Sequence, residues 1–267
     1  MLLKKISVFV CASFVSCMSF AQKSDAQSET DNVIDTFFQC DNQFYEQLAK
    51  HQESINQYVD LATTPDNVTY IPVESIHEND KNKVLFKKPL EYRGLKITGY
   101  QSIYIPTTLS GQYLYWGFIF DNKEDEIKNA LNNINWLPYN TNVYIANAKI
   151  YDLNAKLTEW QDDLYAIDGV APRFGTINKA LYLEDITDKQ SSVFCSIQGD
   201  LKKEILIEAR PDLKTIIEKQ EAEQQERIKA YKEKKQKEEA EKEKLQQQQS
   251  QPQTNTTETT SKDGDNI

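Results

Sequence analysis

The sequence predicts an α+β fold: an N-terminal helix and an antiparallel or mixed sheet, followed by a long charged helix and a polar end. Three observations carry this. Apolar residues recur first at helical spacing and then in alternating runs, without the regular strand–helix–strand rhythm of a parallel sheet. Two cysteines, Cys40 and Cys195, fall one in the helical block and one in the last alternating run. Beyond Asp212 the chain turns into a Glu/Lys/Gln run with almost no apolar residues.

Residues 1–21 read as a cleavable secretory signal. Lys4 and Lys5 form a positive start, Ile6 to Phe20 an apolar stretch, and Ser19-Phe20-Ala21 a junction with small residues where signal peptidase cuts. Cleavage after Ala21 leaves Gln22 as the mature N-terminus. The apolar stretch is shorter than the roughly 20 residues that span a bilayer, and no later stretch approaches that length, so an integral membrane protein is not expected. A rival reading takes Phe14-Val15-Ser16-Cys17 as a degenerate lipoprotein box with Cys17 lipidated, but Phe14 fits poorly where such boxes carry Leu. The Lys-Lys start and the Ala21-Gln22 junction suit a Gram-negative bacterium, hence the periplasm.

The mature chain divides by composition. Residues 22–213 hold 18 Lys+Arg against 29 Asp+Glu, a net of −11, beside −10 for the whole sequence. So acidic a body repels phosphate backbones, which excludes nucleic acid and anionic lipid as expected partners. About 190 residues suffice for one sizeable core, so residues 22–212 are read as a single domain.

Asp31 caps a predicted helix running to about Lys50, with Ile55, Tyr58 and Val59 continuing its pattern and Thr64-Pro65-Asp66-Asn67 ending it. Short strands are expected at Val68 to Val73, Val84 to Lys87, Leu95 to Ile105 and Gln112 to Asp121, the last two as a long hairpin. Asp121 or Asn122 then caps a short helix whose Ile127, Ala130, Leu131 and Ile134 share a face, with Glu124, Asp125 and Glu126 in its first turn. Val143 to Tyr151 is another strand, and Leu157 to Tyr165 fits either state. Gly169 to Gly175 is a Gly/Pro loop carrying Arg173. Leu181 to Ile186 and Ser192 to Gln198 form a second hairpin turning near Asp188-Lys189.

Cys11 and Cys17 leave with the signal, so Cys40 and Cys195 remain, an even pair that reads as a disulfide in an oxidising compartment. Cys40 shares the apolar face of Val33, Phe37, Phe44 and Leu48; Cys195 alternates with Val193 and Ile197. Both thiols point at a core, and a bridge would staple the first helix to the last strand. A redox pair is expected to show Cys-X-X-Cys spacing, absent here.

Residues 213–245 are read as a solvent-exposed charged helix. Glu223 and Arg227, Glu233 and Lys237, and Glu238 and Lys242 stand four apart in the favourable order. Ile217, Ile228, Tyr231 and Leu245 are too irregular for a heptad seam, so a coiled-coil-like but solitary helix is expected. Residues 246–267, rich in Gln, Thr, Ser and Asn, are expected to be disordered.

Catalytic signals are few. His51 and His77 read as surface residues, and no zinc-protease helix, nucleophile elbow, phosphate loop or EF-hand occurs, so neither metal nor cofactor is expected. Asp162-Asp163 and Glu184-Asp185 are acid doublets, but neighbours on a strand point to opposite faces and cannot by themselves flank a substrate. The informative surface is the long hairpin. One face carries Leu95, Ile97, Ile103 and Ile105 with Leu114, Trp116, Phe118 and Phe120; the other carries Tyr100, Tyr104, Tyr113 and Tyr115. A register symmetric about the turn sets Tyr104 opposite Tyr113 and Tyr100 over Gly117. Tyrosines combine flat apolar area with a hydroxyl, which suits a glycan or an envelope protein partner. The expectation is an exported, non-catalytic binding or interaction protein. The alternative is a cell-envelope hydrolase with a dispersed carboxylate site.

Overall fold

The computed structural model describes residues 25–107, 111–156, 159–168 and 171–249. The expected signal segment with Cys17 and Ala21, and positions 250–267 of the expected disordered end, lie outside the described residues.

The first helical block is three helices rather than one: α1 (Asp25–Phe37), α2 (Gln43–Lys50) and α3 (Gln52–Asn56). The break has a backbone cause. Cys40 takes a left-handed φ of 54°, a conformation no helix interior accepts, and it turns the chain between α1 and α2. Val33, Phe37, Phe44 and Leu48 are buried all the same, so their spacing did not register the interruption. Asp31 lies inside α1 rather than capping it and accepts a hydrogen bond from the Gln27 amide at 2.9 Å.

Among the described residues ten strands follow: β1 (Ala62–Thr63), β2 (Thr69–Tyr70), β3 (Lys83–Tyr92), β4 (Leu95–Pro106), β5 (Gln112–Phe120), β6 (Leu137–Asn140), β7 (Val143–Asp152), β8 (Gln161–Asp162), β9 (Thr176–Thr187) and β10 (Gln190–Gly199). β1 and β2 pair with each other. The rest form one sheet in the order β3-β4-β5-β10-β9-β7-β6, with β8 on β7, and every pairing is antiparallel. β3 runs well beyond Lys87: its register slips between Leu85 and Leu90, and Pro89, which has no N–H to donate, sits in that slip. The short helix α4 (Glu124–Ala130) starts after Lys123, not Asp121 or Asn122, and the Glu126 carboxylate receives the Lys123 N–H at 3.2 Å. Among the described residues of the ambiguous Leu157–Tyr165 segment, β8 is the regular element, and a 3-10 turn follows at Ala166–Asp168.

α1 and α2 pack on one face of the sheet. Phe37 and Phe44 meet Phe118 edge-on at 4.8 and 5.9 Å, and Phe118 in turn meets Tyr100 at 5.5 Å. Cys40 and Cys195 are joined in a disulfide, both buried beneath this layer. The staple therefore holds the turn after α1, rather than a helix residue, to the last strand. Beside it Arg210, 2% exposed, follows the helix α5 (Lys203–Ala209). Its guanidinium is gripped by Asp212 at 2.7 and 2.9 Å and by the Ser102 hydroxyl at 3.1 Å, with the Trp116 and Tyr45 rings 5.2 and 5.8 Å away. A buried charge persists only when its donors are met in this way.

Residues 213–267 form a second unit whose described part is the helix α6 (Lys214–Gln249), slightly longer than expected. Arg227 pairs with Glu223 at 3.8 Å as its spacing predicts, and Lys234–Glu238 and Lys235–Glu239 pair in the reverse order.

Candidate functional site

A bulge in β4 decides which residues meet on the other face. The β4–β5 register shifts between Ile97 and Gly99, so one residue drops out of the alternation and all side chains beyond it change sides. Tyr100 pairs with Phe118 and Tyr104 with Leu114, not with Gly117 and Tyr113. The expected four-tyrosine face is thus divided. Tyr100 lies in the core at 1% exposure, and burial pushes its hydroxyl up to about 12. Tyr104 stands on the same core side, its hydroxyl donating to Gln112 Oε1 at 2.5 Å and its ring 5.4 Å from His77. Tyr113 and Tyr115 share the opposite face with Ile103 and Ile105.

That opposite face holds a groove of about 600 Å³ in which every lining residue stands on a strand. Its floor is a row of aromatic rings. Tyr115 on β5 meets Phe194 on β10 edge-on at 5.9 Å; Phe194 stacks on Tyr182 of β9 at 5.4 Å; Tyr182 meets Tyr139 of β6 edge-on at 5.5 Å. The row runs across the strands. Gly117 makes room for it: a Cβ there would lie 2.2 Å from the Val193 carbonyl oxygen and 2.5 Å from the Phe194 Cβ. Phe194 is the cross-strand partner of Gly117.

Polar groups rim the row. Gln101 donates to Asn82 Oδ1 at 3.0 Å, Gln198 hydrogen-bonds the Tyr182 hydroxyl, and Asn140, Ser192, Lys83 and Glu184 complete the edge. Asp185 also lines the groove, yet its carboxylate already accepts the Ser191 hydroxyl at 2.7 Å. Burial, with the neighbouring Tyr113 and Tyr139, raises the Tyr115 hydroxyl to about 12, and burial raises Tyr182 as well. Both phenols stay neutral donors through the physiological range.

The other sequence candidates lie elsewhere. Arg173 is exposed on its loop and lines a separate cleft of about 320 Å³ with Tyr165, Asp168 and Asn178. Asp162 pairs with Lys149 at 2.5 Å, and Asp163 accepts the Asn178 amide at 2.6 Å. His51 Nδ1 lies 3.7 Å from Glu29, and His77 Nδ1 lies 3.2 Å from the Tyr104 carbonyl. Among the described residues no group of three or more His, Cys, Asp or Glu is placed to hold a metal ion.

Sequence reading missed Tyr139, Tyr182 and Phe194. The signal for Phe194 was present: Val193, Cys195 and Ile197 point to the core, so Phe194, Ser192 and Gln198 must point away from it. Nothing local in β6 announces that Tyr139 reaches across β7 to Tyr182.

No family model, curated protein or solved structure matches the chain. Fold and site together define an antiparallel α+β sheet protein, helices packed on one face and an aromatic groove open on the other.

Proposed function

We propose that this chain is an exported, non-catalytic binding protein of the cell envelope, and that the strand-built groove is where its partner sits. The observation that carries the reading is the continuous row Tyr115–Phe194–Tyr182–Tyr139, partly open to solvent at Tyr115, Phe194 and Tyr139. Aromatic area of this kind with a few polar groups beside it is the usual composition of a recognition site. Export to the periplasm is supported by the N-terminal sequence and by the Cys40–Cys195 bridge, since disulfides persist in oxidising compartments. No described helix is long and apolar enough to cross a membrane.

The test is recovery of envelope material by the mature chain beginning at Gln22, beside a Tyr115→Arg/Tyr139→Arg variant and a chain ending at Asp212. A partner lost by the groove variant and kept by the shortened chain supports the proposal; a partner that needs residues beyond Asp212 refutes it. One feature favours a hydrolase instead: the Glu184 carboxylate stands at the rim of the groove. A turnover abolished by Glu184→Gln would decide for that alternative.

A further inference from the structure

Resting on the groove as the binding site, we infer that its ligand is a neutral saccharide chain. Several properties of the groove select this class. The ring row crosses the sheet with centroid steps of 5.4 to 5.9 Å, so it offers several adjacent apolar surfaces along one line rather than a single pocket. A pyranose ring presents C–H groups on its faces and hydroxyls around its edge. The faces suit aromatic rings, and the hydroxyls suit groups that both donate and accept, which are the side chains found at this rim: Gln101, Asn140 and Gln198.

Charge points the same way. Lys83 and Glu184 oppose each other in sign at the rim, and Asp185, which accepts the Ser191 hydroxyl, adds one negative charge, so the lining carries no positive excess to attract an anionic ligand. The net −10 of the chain disfavours anionic glycans further. An acyl chain fits poorly, because polar groups border the rings and the site is open to water. An extended peptide finds no strand to extend along the centre of the floor, since β5, β10 and β9 are each paired on both sides and the free edges lie on β3 and β6.

The experiment is native gel electrophoresis of the full mature chain through gels containing a β-linked glucan, a mannan or a dextran. The wild type is run beside Tyr115→Ala, Tyr139→Ala and, as an aromatic control far more exposed, Phe174→Ala. At least one neutral polysaccharide should retard the wild type and the Phe174→Ala chain equally. Tyr115→Ala or Tyr139→Ala should weaken that retardation roughly tenfold, the equivalent of about 1.4 kcal/mol. Gln198→Ala, which leaves the ring row intact, replaces any tyrosine variant whose near-ultraviolet circular dichroism shows loss of packing. No retardation of the wild type by any of the three, or equal retardation of all variants, overturns the inference. If, in that event, the Tyr115→Arg/Tyr139→Arg chain still loses a protein partner from envelope extract, the groove remains the site and only the saccharide class falls. If it loses nothing, both readings fall.

Discussion

Replacing both cysteines, Cys40→Ala with Cys195→Ala, removes a covalent link between residues 155 apart in sequence. In the chain-entropy account a cross-link closing a loop of that length takes about 17 cal/mol/K of freedom from the unfolded ensemble, or about 5 kcal/mol at 25 °C. Both sulfurs are buried, at 4% and 0% exposure, beneath the layer formed by α1 and α2, so native packing and the link act together. With a guanidinium dependence of about 5 kcal/mol per molar, the unfolding midpoint should fall by roughly 1 M. The assay is equilibrium unfolding of wild-type and variant mature chains, followed by tryptophan fluorescence. Trp116 is a suitable reporter, because it pairs directly with Cys195 across β5 and β10. A midpoint shift below about 0.3 M would refute the reasoning. The same burial predicts that dithiothreitol releases the two thiols from the folded protein only as fast as the protein opens.

Three further outcomes follow from other parts of the core. Asp212→Asn takes the compensating carboxylate away from the buried Arg210 guanidinium, leaving the neutral amide oxygen and Ser102 as acceptors, and should cost about 3 to 5 kcal/mol in urea unfolding; Arg210→Met with Asp212→Leu should recover much of that loss. Gly117→Ala forces a methyl into the β10 backbone and should abolish cooperative unfolding or lower the melting temperature sharply, whereas Gly94→Ala, with open space around its Cβ position, should show only the strain of a positive φ. Tyr100 and Tyr115 titrate near 12 when folded, against about 10 when unfolded. The folded state therefore holds these protons more tightly. Stability from this source is complete below pH 10 and declines as pH rises from 10 towards 12. Absorbance at the phenolate band should show late-ionising tyrosines whose appearance coincides with loss of near-ultraviolet circular dichroism; ionisation of every tyrosine near pH 10 in the folded chain would contradict it.

Much of the architecture was legible because it depends on local periodicity. The alternation of Val193, Cys195 and Ile197 places those side chains on one side of a strand whatever the strand pairs with, and the helical spacing of Val33, Phe37, Phe44 and Leu48 marks a buried face. The disulfide followed from those two faces together with cysteine parity. The charged run beyond Asp212 forms its helix from its own composition, as i,i+4 pairs such as Glu223–Arg227 require no neighbouring element.

What only the tertiary structure decided were events that shift phase or join distant segments. The bulge between Ile97 and Gly99 turns Tyr100 and Tyr104 into the core, and nothing in the hairpin's composition encodes a one-residue slip whose cost and benefit depend on the strands on either side. Cys40's left-handed backbone splits one periodic stretch into two helices without changing its pattern of burial. The groove is assembled from Tyr115, Tyr139, Tyr182 and Phe194 on four different strands. Alternation along each strand assigns a side chain to a face, but only the order and register of the sheet bring four such side chains into one row.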